Sequence, residues 1–283
     1  MNVTINQSTI QLINYTLHLA DSNLILTQRN AAWCGHGPIL EQDIAITNIT
    51  LDLIGQSRNL YQYAAKLINE KNIKLSQSTA SSPLEKAEVE VATEDSLAYL
   101  RTEREFKNLL LVEQENGDWA QTIVRQFFYS VYQYLLYEKM QTSSDEQLAG
   151  IAAKSLKEVT YHVKWSSEWV VRLGDGTEES HTRMQHAIKE LWPYTGEMFL
   201  PADYETAIIA EGIAPDVSLL KEEWMKKVGD VFLEATISSS SGGGWEGATF
   251  MHSGGKNGVH TEKLGYILSD LQYLQRTYSG AEW

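Results

Sequence analysis

The sequence predicts an all-α protein: one domain over residues 1–283, built on a bundle of long helices with additional C-terminal helices. Three observations carry that prediction. Apolar residues recur at three- and four-residue spacing over stretches many turns long. No stretch alternates apolar and polar residues as a half-buried strand would, and no internal repeat has a fixed period. With 43% hydrophobic residues and only five prolines, the chain can build a large core with few interruptions.

The first helix begins with a capping box, Ser8 to Gln11, and carries Ile13, Leu17, Ala20, Leu24 and Ala31 on one stripe. It ends near Trp33, where Gly35, Gly37 and Pro38 mark a turn. Pro38 opens a second helix with Glu41 and Asp43 in its first turn, and Ile46, Ile49, Leu53, Leu60 and Leu67 extend it to about Ile68. Residues 69–95, rich in Asn, Ser, Thr and mixed charge, read as a mobile connection. A short apolar patch, Leu109 to Val112, precedes the turn at Asn116-Gly117.

Asp118 caps a third helix that is apolar or aromatic on nearly every face, from Trp119 through Phe127, Phe128 and Tyr132 to Leu136. Such a helix is expected at the centre; with the tryptophan-rich segments it is also the expected partner-facing surface. A second capping box, Ser144 to Gln147, starts a fourth helix running to Gly174. Helix continues from about Glu178 to Phe199 with a kink at Pro193, then from Val217 to Ile237 and from Thr261 to Tyr278. A Ser/Gly-rich loop over residues 238–258 precedes the last of these.

Composition excludes several functions. The net charge of −14 and the pI near 4.9 argue against nucleic acid or an anionic membrane as main partner. A single cysteine, Cys34, excludes a disulfide framework and multi-cysteine metal sites; it reads as a packed small hydrophobe. The longest charge-free apolar stretch, Gln126 to Tyr137, falls short of the roughly 20 residues of a membrane span, and Met1 to Ile10 lack the features of a signal peptide. A cytoplasmic location is expected.

Four long helices can host a di-iron centre, which takes a Glu from each of two helices and an E-x-x-H from each of the others. The sequence offers only broken versions. Asp21 shares a polar stripe with Asn14, His18 and Gln28; Asp52 has Gly55 where the histidine would stand; Glu158 has Tyr161 there, with His162 one residue too far on; and the third helix supplies Tyr129, Ser130 and Tyr132 but no acid. A degenerate site, its remnants hydrogen-bonded to one another, is the favoured reading. The alternative is an autonomous di-iron oxygenase using Asp21, Asp52, Glu158 and His162. The segment from Ser253 to His260 is glycine-rich and carries Lys256, but Phe250 and Asn257 break the Walker spacing. Lys256 is a candidate only for a simple anion contact.

Several strings together resemble a known family: WCGHGPILEQDIAITNITLDLIGQSRN (Trp33 to Asn59), EREFKNLLLVEQENGDWAQTIVRQFF (Glu103 to Phe128), KSLKEVTYH (Lys154 to His162) and GGKNGVHTEKLGYILSDLQYLQR (Gly254 to Arg276). They are similar to the C subunits of ring-1,2-phenylacetyl-CoA epoxidases. The resemblance runs from about Ile13 to Trp283, outside 69–95 and the stretch from Ser238 to Met251. It implies a ferritin-like fold and a non-catalytic structural subunit in aerobic phenylacetate breakdown. The implied partners are a related catalytic subunit that carries the di-iron centre, a small bridging subunit, and a reductase with FAD and an iron–sulfur centre. It implies no cofactor and no catalytic residue in this chain; Lys256 is left as a candidate for touching the phosphates of CoA.

Overall fold

The computed structural model describes residues 7–71, 91–237, 250–278 and 281. Ten α-helices and no strand occur among them. Four long helices form the bundle: α1 (Gln7–Ala31), α2 (Leu40–Glu70), α5 (Trp119–Met140) and α6 (Glu146–Gly174). Between α2 and α5 lie the short α3 (Glu94–Tyr99) and α4 (Leu110–Glu113). After α6 come α7 (Glu178–Leu191), α8 (Asp203–Ile209), α9 (Lys221–Glu234) and α10 (Glu262–Thr277).

α1 packs on α2 and α5 on α6, while α2 meets α6 across the bundle. α1 and α5 are bridged instead by long side chains, Asn23 reaching Tyr129 and Tyr137, and Asn30 reaching Gln126. One continuous apolar cluster runs through all of these elements.

α5 is central as its composition requires, with Phe127, Phe128, Ile123, Val124 and Leu135 fully buried. It is not, however, a partner-facing helix. α6, α7 and α9 cover it, and the buried Trp224 of α9 donates its indole N–H to the Phe128 carbonyl (3.0 Å). The tryptophans are likewise largely spent inside the fold. Trp119 meets Trp33, Trp165 and Trp169 edge-on at centroid distances of 5.1, 6.0 and 6.0 Å, and Gln42 accepts from the indoles of Trp165 and Trp169.

Several boundaries move for local reasons. Ser8 lies inside α1 and donates to Glu211 (2.7 Å). Asp145, not Ser144, caps α6, accepting from the Leu148 N–H (2.9 Å), while Ser144 bonds the Glu211 carbonyl. Pro193 ends α7 instead of kinking it: 3₁₀ turns follow at Trp192–Tyr194 and Gly196–Phe199. A 3₁₀ turn at Val217–Leu220 leads into α9, which stops at Glu234. α3 and α8 are too short to show helical periodicity, and α3 forms through a reciprocal cap between Thr93 and Ser96. Residues 72–90 of the expected connection and 238–249 of the expected loop lie outside the described residues. Cys34 is exposed, its Sγ 3.2 Å from the Thr47 hydroxyl, and not packed as a hydrophobe. No described helix is long and apolar enough to cross a membrane.

Two glycines sit on exposed faces of long helices without a reason inside the chain. A Cβ at Gly55 in α2 or Gly150 in α6 would meet nothing within 4 Å. A mid-helix glycine is worse than alanine by roughly 0.5–1 kcal/mol. Gly55→Ala and Gly150→Ala should therefore each raise the unfolding temperature of the purified chain, which a thermal melt reads directly.

Candidate functional site

The centre of the bundle is built from one polar residue per helix. Asn23 of α1, Gln56 of α2 and Gln133 of α5 are buried, and Glu158 of α6 closes the set. The Gln133 amide lies 2.8 Å from Asn23 Oδ1 and 2.9 Å from Gln56 Oε1. Tyr129 donates to the same Asn23 oxygen (2.7 Å), and Gln56 donates through Nε2 to Glu158 (2.8 Å). Tyr137 lies within 3.2 Å of Gln133 Nε2. Burial raises the pKa of Tyr129 and Tyr137, so both phenols stay neutral donors.

This donor set does not fit a di-iron group. Three of the four central residues are amides, which carry no charge to offset metal cations; the oxygens of Asn23 and Gln56 already accept hydrogen bonds, whereas the Gln133 oxygen is buried without a partner. Only Glu158 could neutralise charge. Among the described residues, no group of three or more His, Cys, Asp or Glu side chains is placed to hold a metal ion.

The structure divides the acidic residues singled out from the sequence. Asp21 faces away from the centre into a buried ion pair: Arg101 grips both its oxygens, Tyr61 donates to it (2.6 Å), and so does the Lys107 N–H (2.8 Å). Burial opposes the charge on Arg101, but Asp21 and its hydrogen bonds raise the guanidinium pKa overall. Asp52 pairs with the buried His162 (3.0 Å) one turn along from Gln56 and Glu158. Asp52, Glu158 and His162 therefore share the α2–α6 seam, and Asp21 does not join them. The expected histidine positions point outward, since Gly55 and Tyr161 are both exposed.

Lys256 is also turned inward. It is 3% exposed, with Nζ 2.8 Å from Glu205 and 3.0 Å from the Leu200 carbonyl. The glycine-rich loop around it is held by Glu197, which accepts from the N–H groups of Gly254 (2.7 Å) and Leu110 (2.9 Å). A ligand approaching the surface does not meet this ammonium. Lys256→Glu would place a second carboxylate against Glu205, so that variant tests folding and not CoA affinity. Next to the loop, His260 bridges Glu113 (2.6 Å) and the Phe106 carbonyl (2.9 Å), and Glu113 also accepts from Asn108 and from Thr261. Both ring nitrogens face acceptors, which requires an imidazolium.

The family model described as phenylacetic acid catabolic protein matches residues 1–283. The chain belongs to the phenylacetic acid catabolic protein family. Within it, the chain is 42% identical to the C subunit of the 1,2-phenylacetyl-CoA epoxidase of Escherichia coli (strain K12) over 273 residues, 96% of this chain and 99% of that protein. The all-α bundle is thus the ferritin-like fold that the sequence resemblance implied.

In this member of the phenylacetic acid catabolic family, a sequence pattern of acids gives no sign of the amides. Asn23, Gln56 and Gln133 are the residues at the bundle centre, and the one signal for each is a lone amide on the apolar side of a long helix.

Proposed function

We propose that the chain is a non-catalytic structural subunit of a multicomponent phenylacetyl-CoA epoxidase in aerobic phenylacetate catabolism. In this reading it pairs with a homologous subunit that carries the di-iron centre and performs the oxygenation. A small bridging subunit and a reductase bearing FAD and an iron–sulfur centre complete the assembly. The observation that carries it is the bundle centre: Asn23, Gln56 and Gln133 link the helices by hydrogen bonds where a di-iron protein would use carboxylates. Such a network fixes helix spacing without a metal, because every bond joins two different helices or a helix to its own tyrosine. The close match to the C subunit of an epoxidase, along nearly the whole of both chains, supports the same assignment.

The test is reconstitution with the catalytic homologue. Glu158→Gln in this chain is expected to leave epoxidation by the assembled complex within about twofold of wild type, since Glu158 touches only Gln56 among the central residues. A large loss of turnover in a variant that folds and assembles normally would overturn the reading and favour a di-iron oxygenase using Glu158.

A further inference from the structure

We propose that the outer face of α2 and α6 seats an amphipathic helix of the partner subunit, apolar along the first half of α2 and acidic where it passes Lys66 and Lys154. The inference rests on the structural-subunit reading and deepens it by assigning the docking surface.

α2 carries an exposed apolar stripe; α10 also exposes Tyr266, Tyr273 and Leu274, but only the α2 stripe is aliphatic and borders the lysine-lined groove between α2 and α6. Leu40, Ile44, Leu51 and Ile54 are 73%, 51%, 61% and 40% exposed, and their spacing of four, seven and three residues keeps them on one side of the helix. Tyr161 of α6, 44% exposed, lies beside them across the seam closed by Asp52 and His162. Exposed apolar side chains scattered singly need no explanation, but a stripe along a helix does.

The two helices run antiparallel, as the pairs Asp52–His162, Gln56–Glu158 and Tyr63–Asp145 establish. Beyond Glu158 they leave a groove of about 340 Å³ lined by Asn59, Gln62 and Lys66 of α2 and by Gln147, Gly150 and Lys154 of α6. The polar rim is cationic in a chain whose net charge is −14. Lys154 has no ion-pair partner among the described residues, and Lys66 meets Glu70 only at 3.9 Å. Charge complementarity therefore calls for carboxylates on the occupant at this end.

Gly55 and Gly150 lie on this same face, where their missing side chains let a second helix approach closely. Gly229 of α9 is equally open but has no apolar stripe or groove associated with it in this surface. At about 1.5 Å per residue, Leu40 to Lys66 spans roughly 39 Å, and across the roughly 10 Å between packed helix axes this is a face of about 400 Å², enough for one docked helix and about half of one partner's share of a standard interface.

The experiment titrates the full-length chain with the purified catalytic homologue and reads the dissociation constant, with light scattering for stoichiometry. Leu51→Glu and Gly150→Trp should each weaken binding at least tenfold, and Lys154→Glu should weaken it severalfold at low salt and less at high salt. Tyr266→Glu, on the exposed side of α10, should bind as wild type. Thermal melts establish that each variant is folded. A wild-type complex indifferent to Leu51→Glu and Gly150→Trp overturns this inference and leaves the pairing intact. No complex for the wild-type chain overturns the structural-subunit reading together with it. Two other results also overturn the inference: a dimer of the chain alone that Leu51→Glu dissolves, or inorganic phosphate binding that Lys154→Glu abolishes while affinity for the homologue is unchanged.

Discussion

Asp21→Ala should cost the folded chain about 3–5 kcal/mol, because it strands the Arg101 guanidinium in the core. Arg101 is 6% exposed and Asp21 fully buried, and apart from Asp21 the guanidinium is left with the carbonyls of Leu97 and Glu105 and the Tyr61 hydroxyl. Asp21 also holds the Lys107 N–H, so its removal loosens the segment that joins α3 to α4. Replacing both partners, Asp21→Leu with Arg101→Met, should recover a large part of the loss, since a buried pair is worth little against apolar side chains of similar volume. Urea unfolding of the single and double variants measures the difference. If Asp21→Ala is as stable as wild type, the pair is not the internal tie described here. If Asp21 were instead a metal ligand, its removal would lower metal affinity without this recovery in the double variant.

The stability of the chain should pass through a maximum near pH 6.5, with two buried histidines setting opposite limbs. Burial first, and the nearby Lys256 charge second, hold His18 down at about 4 from its usual 6.5. The unfolded chain therefore takes up this proton first, and stability is lost as pH falls from 6.5 towards 4, by about 3 kcal/mol at roughly 1.4 kcal/mol per unit. His260 behaves in the opposite sense. Burial disfavours its charge, but the hydrogen bond and the charge of Glu113 outweigh that and raise its pKa. Its contribution is fully present below pH 6.5 and is lost as pH rises through the folded value. In urea titrations from pH 4.5 to 9, His18→Gln should flatten the acid limb and His260→Gln the alkaline limb. A variant whose profile keeps the wild-type slope would rule out the corresponding histidine.

The long helices are legible in the sequence because their apolar stripes extend over many turns, and α5 belongs at the centre because it is apolar all round. That same feature points wrongly to a partner surface. A helix that is apolar on every side is covered by its own chain, here by α6, α7 and α9, whereas α2, whose moderate hydrophobicity gives no warning, carries an exposed aliphatic stripe. The lack of a histidine three residues after Asp52 and Glu158 is legible at Gly55 and Tyr161, since it can be read directly. What replaces it is not. Asn23, Gln56 and Gln133 come from three helices far apart in sequence, and only packing brings them together. Lys256 resembles an anion contact because glycines surround it; its partner Glu205 lies on α8, a helix too short to announce itself.

If hydrogen-bonded amides hold the bundle centre in place of a metal, as proposed, the full chain purified from iron-supplemented culture should contain far less than one iron per chain by elemental analysis and show no charge-transfer absorption in the visible spectrum. Two irons per chain, lost in Glu158→Ala, would contradict that proposal.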